Sequence, residues 1–154
     1  MTVSHQTRPL APASVTSALG ILRADGHRIS AARRIALEAL FAAEGPVSAE
    51  EIARGLGGRL PESDLAALYR NLEVLSEAGL VEHVHVAHGP GRYVLTGRGG
   101  EGWMACEDCH RLQPLQRPQA VQLRAAIRAA TGYEPAFAHF ALVGRCAGCE
   151  ERAS

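Results

Sequence analysis

The sequence predicts an α+β protein made of two small domains. Three observations carry this reading. Apolar residues recur at helical spacing through the first half of the chain and then switch to the two-residue period of strands. A glycine-rich hexapeptide, residues 97–102, separates that half from the remainder. All four cysteines lie beyond it, in two C-x-x-C pairs. At 154 residues the chain is long enough to bury about two-thirds of its unfolded surface. With 47% apolar and 21% charged residues it belongs among globular rather than disordered chains.

The elements follow in order. Residues 1–13 carry Pro9 and Pro12 without periodicity and are expected to form a loose arm. From Ser14, the residues Val15, Ala18, Leu19 and Leu22 fall on one helix face, and Gly26 ends the segment. Ser30 opens a second helix through Ile35, Leu37, Leu40 and Phe41, which stops at Gly45-Pro46. Ser48-Ala49-Glu50-Glu51 is a capping box for a short third helix through Ile52 and Leu56, closed by Gly57-Gly58. Leu60-Pro61-Glu62-Ser63 starts the strongest helix, in which Leu65, Leu68, Tyr69, Leu72 and Leu75 recur, and Gly79 sits where a left-handed cap belongs. Residues 80–86 alternate valine with histidine and read as a strand; 88–91 turn, and 92–95 return. Helices followed by a hairpin are the order of a winged helix-turn-helix domain, placed at 14–96. Residues 97–102 are the expected hinge. The second, α/β domain spans 103–154, with a helix from about Pro118 to Ala130 and a strand near Phe137–Val143.

Composition excludes several classes. Sixteen basic residues, all arginine, balance sixteen acidic ones, which argues against a broad polyanion binder while leaving room for a local basic patch. No apolar run approaches the ~20 residues of a membrane span, and the N-terminus lacks a signal-peptide core. The expected location is the cytoplasm, with no membrane partner. There, cysteines are ligands or thiols more often than structural disulfides. No Ser-His-Asp signature, phosphate-binding glycine loop or open zinc site points to an enzyme.

Cys106/Cys109 and Cys146/Cys149 are separated by 36 residues. A two-residue gap lets both sulfurs of a tight turn face one ion, and two such turns complete a tetrahedron. Four thiolates with no vacant position describe a structural zinc site. It would tie the start of a domain of about 50 residues to its end and supply much of its stability. Tetrathiolate iron fits the same spacing. A thioredoxin-type redox pair fits less well, because neither pair clearly follows a strand and opens a helix.

In a helix-turn-helix the last helix before the hairpin lies in the major groove. Ala66 and Ala67 are small enough for close approach there. Tyr69 can meet a thymine methyl or a phosphate, and Arg70 can reach guanine or phosphate. Asn71 shares that helix, and Arg28, ahead of the second helix, and Arg92, in the wing, can meet the backbone. Helix periodicity equally allows Tyr69 to be a core aromatic and Arg70 a solvated side chain.

At this point the sequence resembles the ferric uptake regulator family of metal-responsive repressors, from about Ile21 to Cys149. The resemblance is carried by His27-Arg28-Ile29-Ser30 with Arg33 and by 47–52, Val-Ser-Ala-Glu-Glu-Ile. Its most specific stretch is Leu68-Tyr69-Arg70-Asn71-Leu72-Glu73-Val74-Leu75 with Gly79-Leu80-Val81. Arg92-Tyr93 and the two C-x-x-C pairs complete it. It implies a winged-helix DNA-binding domain, a hinge and a dimerisation domain. It also implies a homodimer that represses from palindromic double-stranded DNA operators when metal is bound. DNA contact then falls to Tyr69, Arg70 and Arg28, and structural zinc to Cys106, Cys109, Cys146 and Cys149.

The sequence also departs from the family. Ala66-Ala67-Leu68 replaces a threonine-containing stretch. The histidine-rich run ahead of the first C-x-x-C is absent from 99–105. Ala138 stands where a histidine is expected, with His139 beside it, and Thr96 stands where zinc sensors place a cysteine. Glu82 alone survives of those sensory ligands, so the regulatory metal site is atypical or absent. A relocated site for a second divalent metal is a candidate at Glu82, His83, His85 and His88, because neutral imidazoles with a carboxylate suit borderline metals. The same histidines also read as a polar face near phosphates, or as groups gaining charge on mild acidification. The leading function is a homodimeric, sequence-specific repressor with a structural zinc. A thiol-based redox regulator on the same fold is the alternative.

Overall fold

The computed structural model describes residues 11–153. Residues 1–10, most of the expected arm, lie outside the described residues; of the remainder, Pro12 is buried.

The first helices begin where side chains satisfy their free amides. α1 (Val15–Ala24) starts at Ser14 and Ser17, which form a reciprocal capping box. α2 (Ala31–Ala42) starts at Ser30, whose hydroxyl accepts from the Arg33 amide at 3.1 Å. β1 (Val47–Ser48) is a two-residue strand not foreseen from the sequence. Ser48 and Glu51 then cap α3 (Ala49–Ala53) reciprocally. This helix is shorter than expected. Leu56 and Gly57 take left-handed angles (φ 51° and 71°), so Leu56 sits in the kinked turn α4 (Gly55–Gly58). α5 (Leu65–Glu77) starts at Asp64, whose carboxylate accepts from the Ala67 amide at 2.7 Å. Gly79, with φ 73°, turns the chain out of it.

β2 (Val81–Val84) and β3 (Arg92–Leu95) form an antiparallel hairpin in which His83 faces Tyr93. β1 joins the other edge of β3, giving the order β1-β3-β2. Leu19, Leu22, Leu37, Ile52, Leu68 and Leu72 form one apolar core beneath the sheet and helices. α5 is therefore fixed by its inward leucines, and its other face is exposed.

The second half holds β4 (Trp103–Cys106), β5 (Leu112–Pro114), α6 (Arg117–Thr131), β6 (Leu142–Gly144) and α7 (Ala147–Ala153). β4 lies between β5, antiparallel, and β6, parallel. Proline in its first turn and Gly132 (φ 76°) at its end bound α6 close to the expected limits. The strand expected near Phe137–Val143 begins only at Leu142. Ahead of it, one bridge pairs Phe140 with His85.

The glycine-rich segment 97–102 is closely packed. A Cβ on Gly102 would fall 2.6 Å from Phe137 Cβ, so glycine there answers a lack of space. Beyond it, Trp103 packs with Val84 and Val94 of the hairpin, and the two halves share this small apolar cluster.

Candidate metal centre and nucleic-acid interface

The four cysteines are free thiols whose sulfurs all lie within 4.8 Å of one another. Cys106 ends β4, Cys109 follows in the next turn, Cys146 follows β6, and Cys149 lies in α7. Two features hold the turns together. The Glu107 amide donates to Gly144 O at 2.9 Å. Arg145 reaches across to Asp108 at 2.7 Å and to Glu107 at 3.7 Å, so the residue before one pair grips the middle of the other. The sulfurs of Cys109 and Cys146 stand 3.8 Å apart. Zinc–sulfur bonds of about 2.3 Å give a tetrahedral edge of about 3.8 Å, so the cluster fits a zinc ion held by four thiolates.

The thiols are electrostatically unequal. Amides of Cys109 and Cys146, aimed at Cys106, lower its pKa to about 6. Burial, with the neighbouring sulfurs, pushes Cys149 up to about 12. Arg152 donates to Cys149 Sγ at 2.9 Å and opposes that rise. A bound cation would favour the thiolate at all four positions.

On α5, Tyr69 and Arg70 are both exposed. The Tyr69 hydroxyl donates to Glu50 Oε1 at 2.7 Å, which orients the ring against α3. Arg70 and Arg28 are exposed, and neither side chain forms an ion pair among the described residues. The other two residues expected at DNA are placed differently. Asn71 is buried, accepts from Arg33 Nε at 3.1 Å and donates to Ala67 O at 2.8 Å. Arg92 is half-buried and bonds to Glu51 at 3.0 Å and to Pro46 O at 3.2 Å. Both side chains are engaged in holding the domain together. Arg33, a residue with no role assigned from the sequence, joins Asn71 to Arg28 O.

The wing divides the expected regulatory set. His83 and His85 come together, with ring centroids 4.4 Å apart. Glu82 points away and lines a cavity of about 250 Å³ with Glu101, Trp103, Arg124 and Phe137. Its desolvation there raises its pKa. His88 is exposed in the turn and lines a separate cavity with Glu107 and His110. The four residues therefore do not form one site. His139 does join the pair, 4.8 Å from His85 and 6.2 Å from His83. Nothing local in the sequence marks it, since it lies 54 positions after His85.

Comparison with known proteins places these features in a family. A model described as the ferric uptake regulator family matches residues 24–142. The peroxide operon regulator of Bacillus subtilis (strain 168) is 24% identical over 143 residues, 93% of this chain and 98% of that protein. The solved ferric uptake regulator of Vibrio cholerae, described by a rearrangement of its DNA-binding domains, is 26% identical. It covers 82% of this chain and 98% of its own, with a TM-score of 0.64. The Helicobacter pylori regulator, described as having three functional metal binding sites, shares the fold at 15% identity. Its TM-score is 0.70, over 94% of this chain and 99% of that one. With the family match running from the last residue of α1 to the first of β6, the chain belongs to the ferric uptake regulator family.

Proposed function

We propose that the chain is a homodimeric, sequence-specific DNA-binding repressor in which α5 enters the major groove and the four thiols hold a structural zinc. The family is one of metal-responsive transcriptional regulators rather than enzymes. The observation that carries the DNA reading is the division among the arginines. Arg33 and Arg92 are engaged inside the domain, whereas Arg70 and Arg28 stand exposed and without ion pairs among the described residues. In this reading Arg70 reads a base edge or a phosphate, Tyr69 a thymine methyl or phosphate, and Arg28 the backbone. Asn71 and Arg92 position the helix and the wing.

Zinc at Cys106, Cys109, Cys146 and Cys149 would join β4, β6 and α7, cross-linking the second half. The dimer reading is supported by where large apolar side chains are exposed. Among the described residues Met104, Val121, Tyr133, Phe140 and Val143 belong to the second half, and only Leu65 and Tyr69, on α5, to the first. No helix among the described residues is long and apolar enough to cross a membrane.

The test is selection of DNA by the zinc-loaded protein, followed by affinity measurement on the enriched site. A palindromic site should emerge, and Arg70→Ala should weaken it by about 1–3 kcal/mol. No enriched site, or an unchanged affinity in that variant, removes the reading. A second reading, a thiol-based redox switch, is favoured by one feature. Cys109 is exposed with its sulfur 3.8 Å from that of Cys146. Loss of both metal and operator binding on peroxide treatment would select it.

A further inference from the structure

We propose that His83, His85 and His139 form a second, exchangeable site for a borderline divalent transition metal, spanning the winged half and the thiol-bearing half. Among the described residues only the four thiols have ligand atoms already drawn together. The three imidazoles stand side by side, and the proposal requires their side chains to turn so that one nitrogen of each meets a shared ion. Metal–nitrogen bonds of about 2.0–2.1 Å at tetrahedral angles put ring centroids about 5 Å apart. The three separations are 4.4, 4.8 and 6.2 Å, which bracket that value.

The main chain holds the three in place. The His85 amide donates to His139 O at 2.9 Å, and the Ala141 amide donates to His85 O at 3.0 Å. His83 stacks on Tyr93 at 4.7 Å, and Phe140 packs against both His85 and His139. Space for the His83 ring comes from Gly91, where a Cβ would fall 1.9 Å from His83 Nε2. Three imidazole nitrogen ligands leave at least one position to water, the arrangement of an exchangeable ion. Zinc, cobalt and nickel suit such ligands.

His83 and His85 belong to the hairpin, and His139 precedes β6. An ion held by all three would fix the wing against the second half. Only this consequence, that occupancy sets the angle of the DNA-reading head, rests on the repressor reading. Binding of the ion does not.

The experiment is a cobalt(II) titration of tag-free protein carrying zinc at its thiols, followed by visible absorbance and metal content per subunit. One further cobalt should bind, with nitrogen-ligand d–d bands and no thiolate charge transfer. His139→Ala and His85→Ala should weaken that cobalt at least tenfold, whereas His88→Ala should leave it unchanged. Gly91→Ala should weaken it by displacing His83. Retained thiol zinc and an unchanged far-ultraviolet dichroism spectrum show that each variant is folded. No second cobalt, a second cobalt indifferent to His139→Ala, or one lost in His88→Ala overturns the site and leaves an aromatic cluster only. Operator affinity is measured separately, with and without cobalt. Failure to find an operator counts against the repressor reading and leaves the metal result standing.

Discussion

The bond from Tyr69 to Glu50 is the most informative single contact on the exposed face of α5. The phenol holds the carboxylate below its ordinary value of 4.5, and the carboxylate pushes the phenol up to about 12. Tyr69 therefore stays a protonated donor throughout the neutral range. A carboxyl group with a lowered folded pKa contributes stability above its unfolded value, and that contribution is lost as pH falls through the folded one. Tyr69→Phe should move Glu50 back toward 4.5 and flatten the acid limb of stability below that pH. Carboxyl titration by NMR checks the first, and urea unfolding across pH the second. An unmoved Glu50 would assign its shift to the backbone or Ser48 contacts instead. At this scale the sequence was partly legible. Tyr69 and Arg70 face outward, and for Tyr69 the sequence had left a core position equally open. Asn71 does not, and the apolar stripe already said so, because it sits three residues after Leu68 and four before Leu75. His139 had no such local signal. It reaches His85 through a pairing between distant segments.

Among the elements, α3 shows how one oxygen can join two pieces of structure. Glu51 Oε2 accepts from the Ser48 amide at 2.7 Å, closing the capping box, and from Arg92 Nη1 at 3.0 Å, reaching β3. Ser48→Ala should cost about 1 kcal/mol, the usual loss for an N-cap. Arg92→Ala should cost less than about 1 kcal/mol, because both partners of its ion pair are partly exposed. Urea denaturation measures both. If Arg92→Ala instead leaves stability intact and abolishes operator binding, the wing arginine touches DNA after all. Three helix starts were legible because caps are local chemistry: Ser14, Ser30 and Ser48 each cap a helix, whereas α5, expected to start at 60–63, is capped by Asp64. The strands were less so. β1, β4, β5 and β6 have two to four residues each and show no alternation in the sequence, and β1 and β6 exist through partners far along the chain. The loss of helix at Leu56 is likewise set by backbone angles that no residue type at that position announces.

Across the whole molecule, the two halves are stabilised by different means. The first has an extended core of buried leucine, isoleucine and alanine. The second buries little beyond Leu115, Ala120 and Phe137 as its own cluster and gathers its strand and helix ends around four sulfurs. Stripping the zinc proposed at these thiols with a chelator should therefore lower the protection of β4, β6 and α7 in hydrogen exchange while α2 and α5 keep theirs. Simultaneous loss in both halves would mean that the shared cluster, not the metal, governs folding. The second half was legible in its thiols and its long helix, but its sheet and its contact with the wing were not, since both depend on packing between distant segments.

That contact has a practical consequence. Trp103 is the only tryptophan in the chain, and it is buried against Val84 and Val94 of the wing. The ultraviolet emission of the protein thus comes from the seam between its two halves. Any signal that lifts the wing away from the second half wets that indole, and the colour of its fluorescence reports the movement without a label.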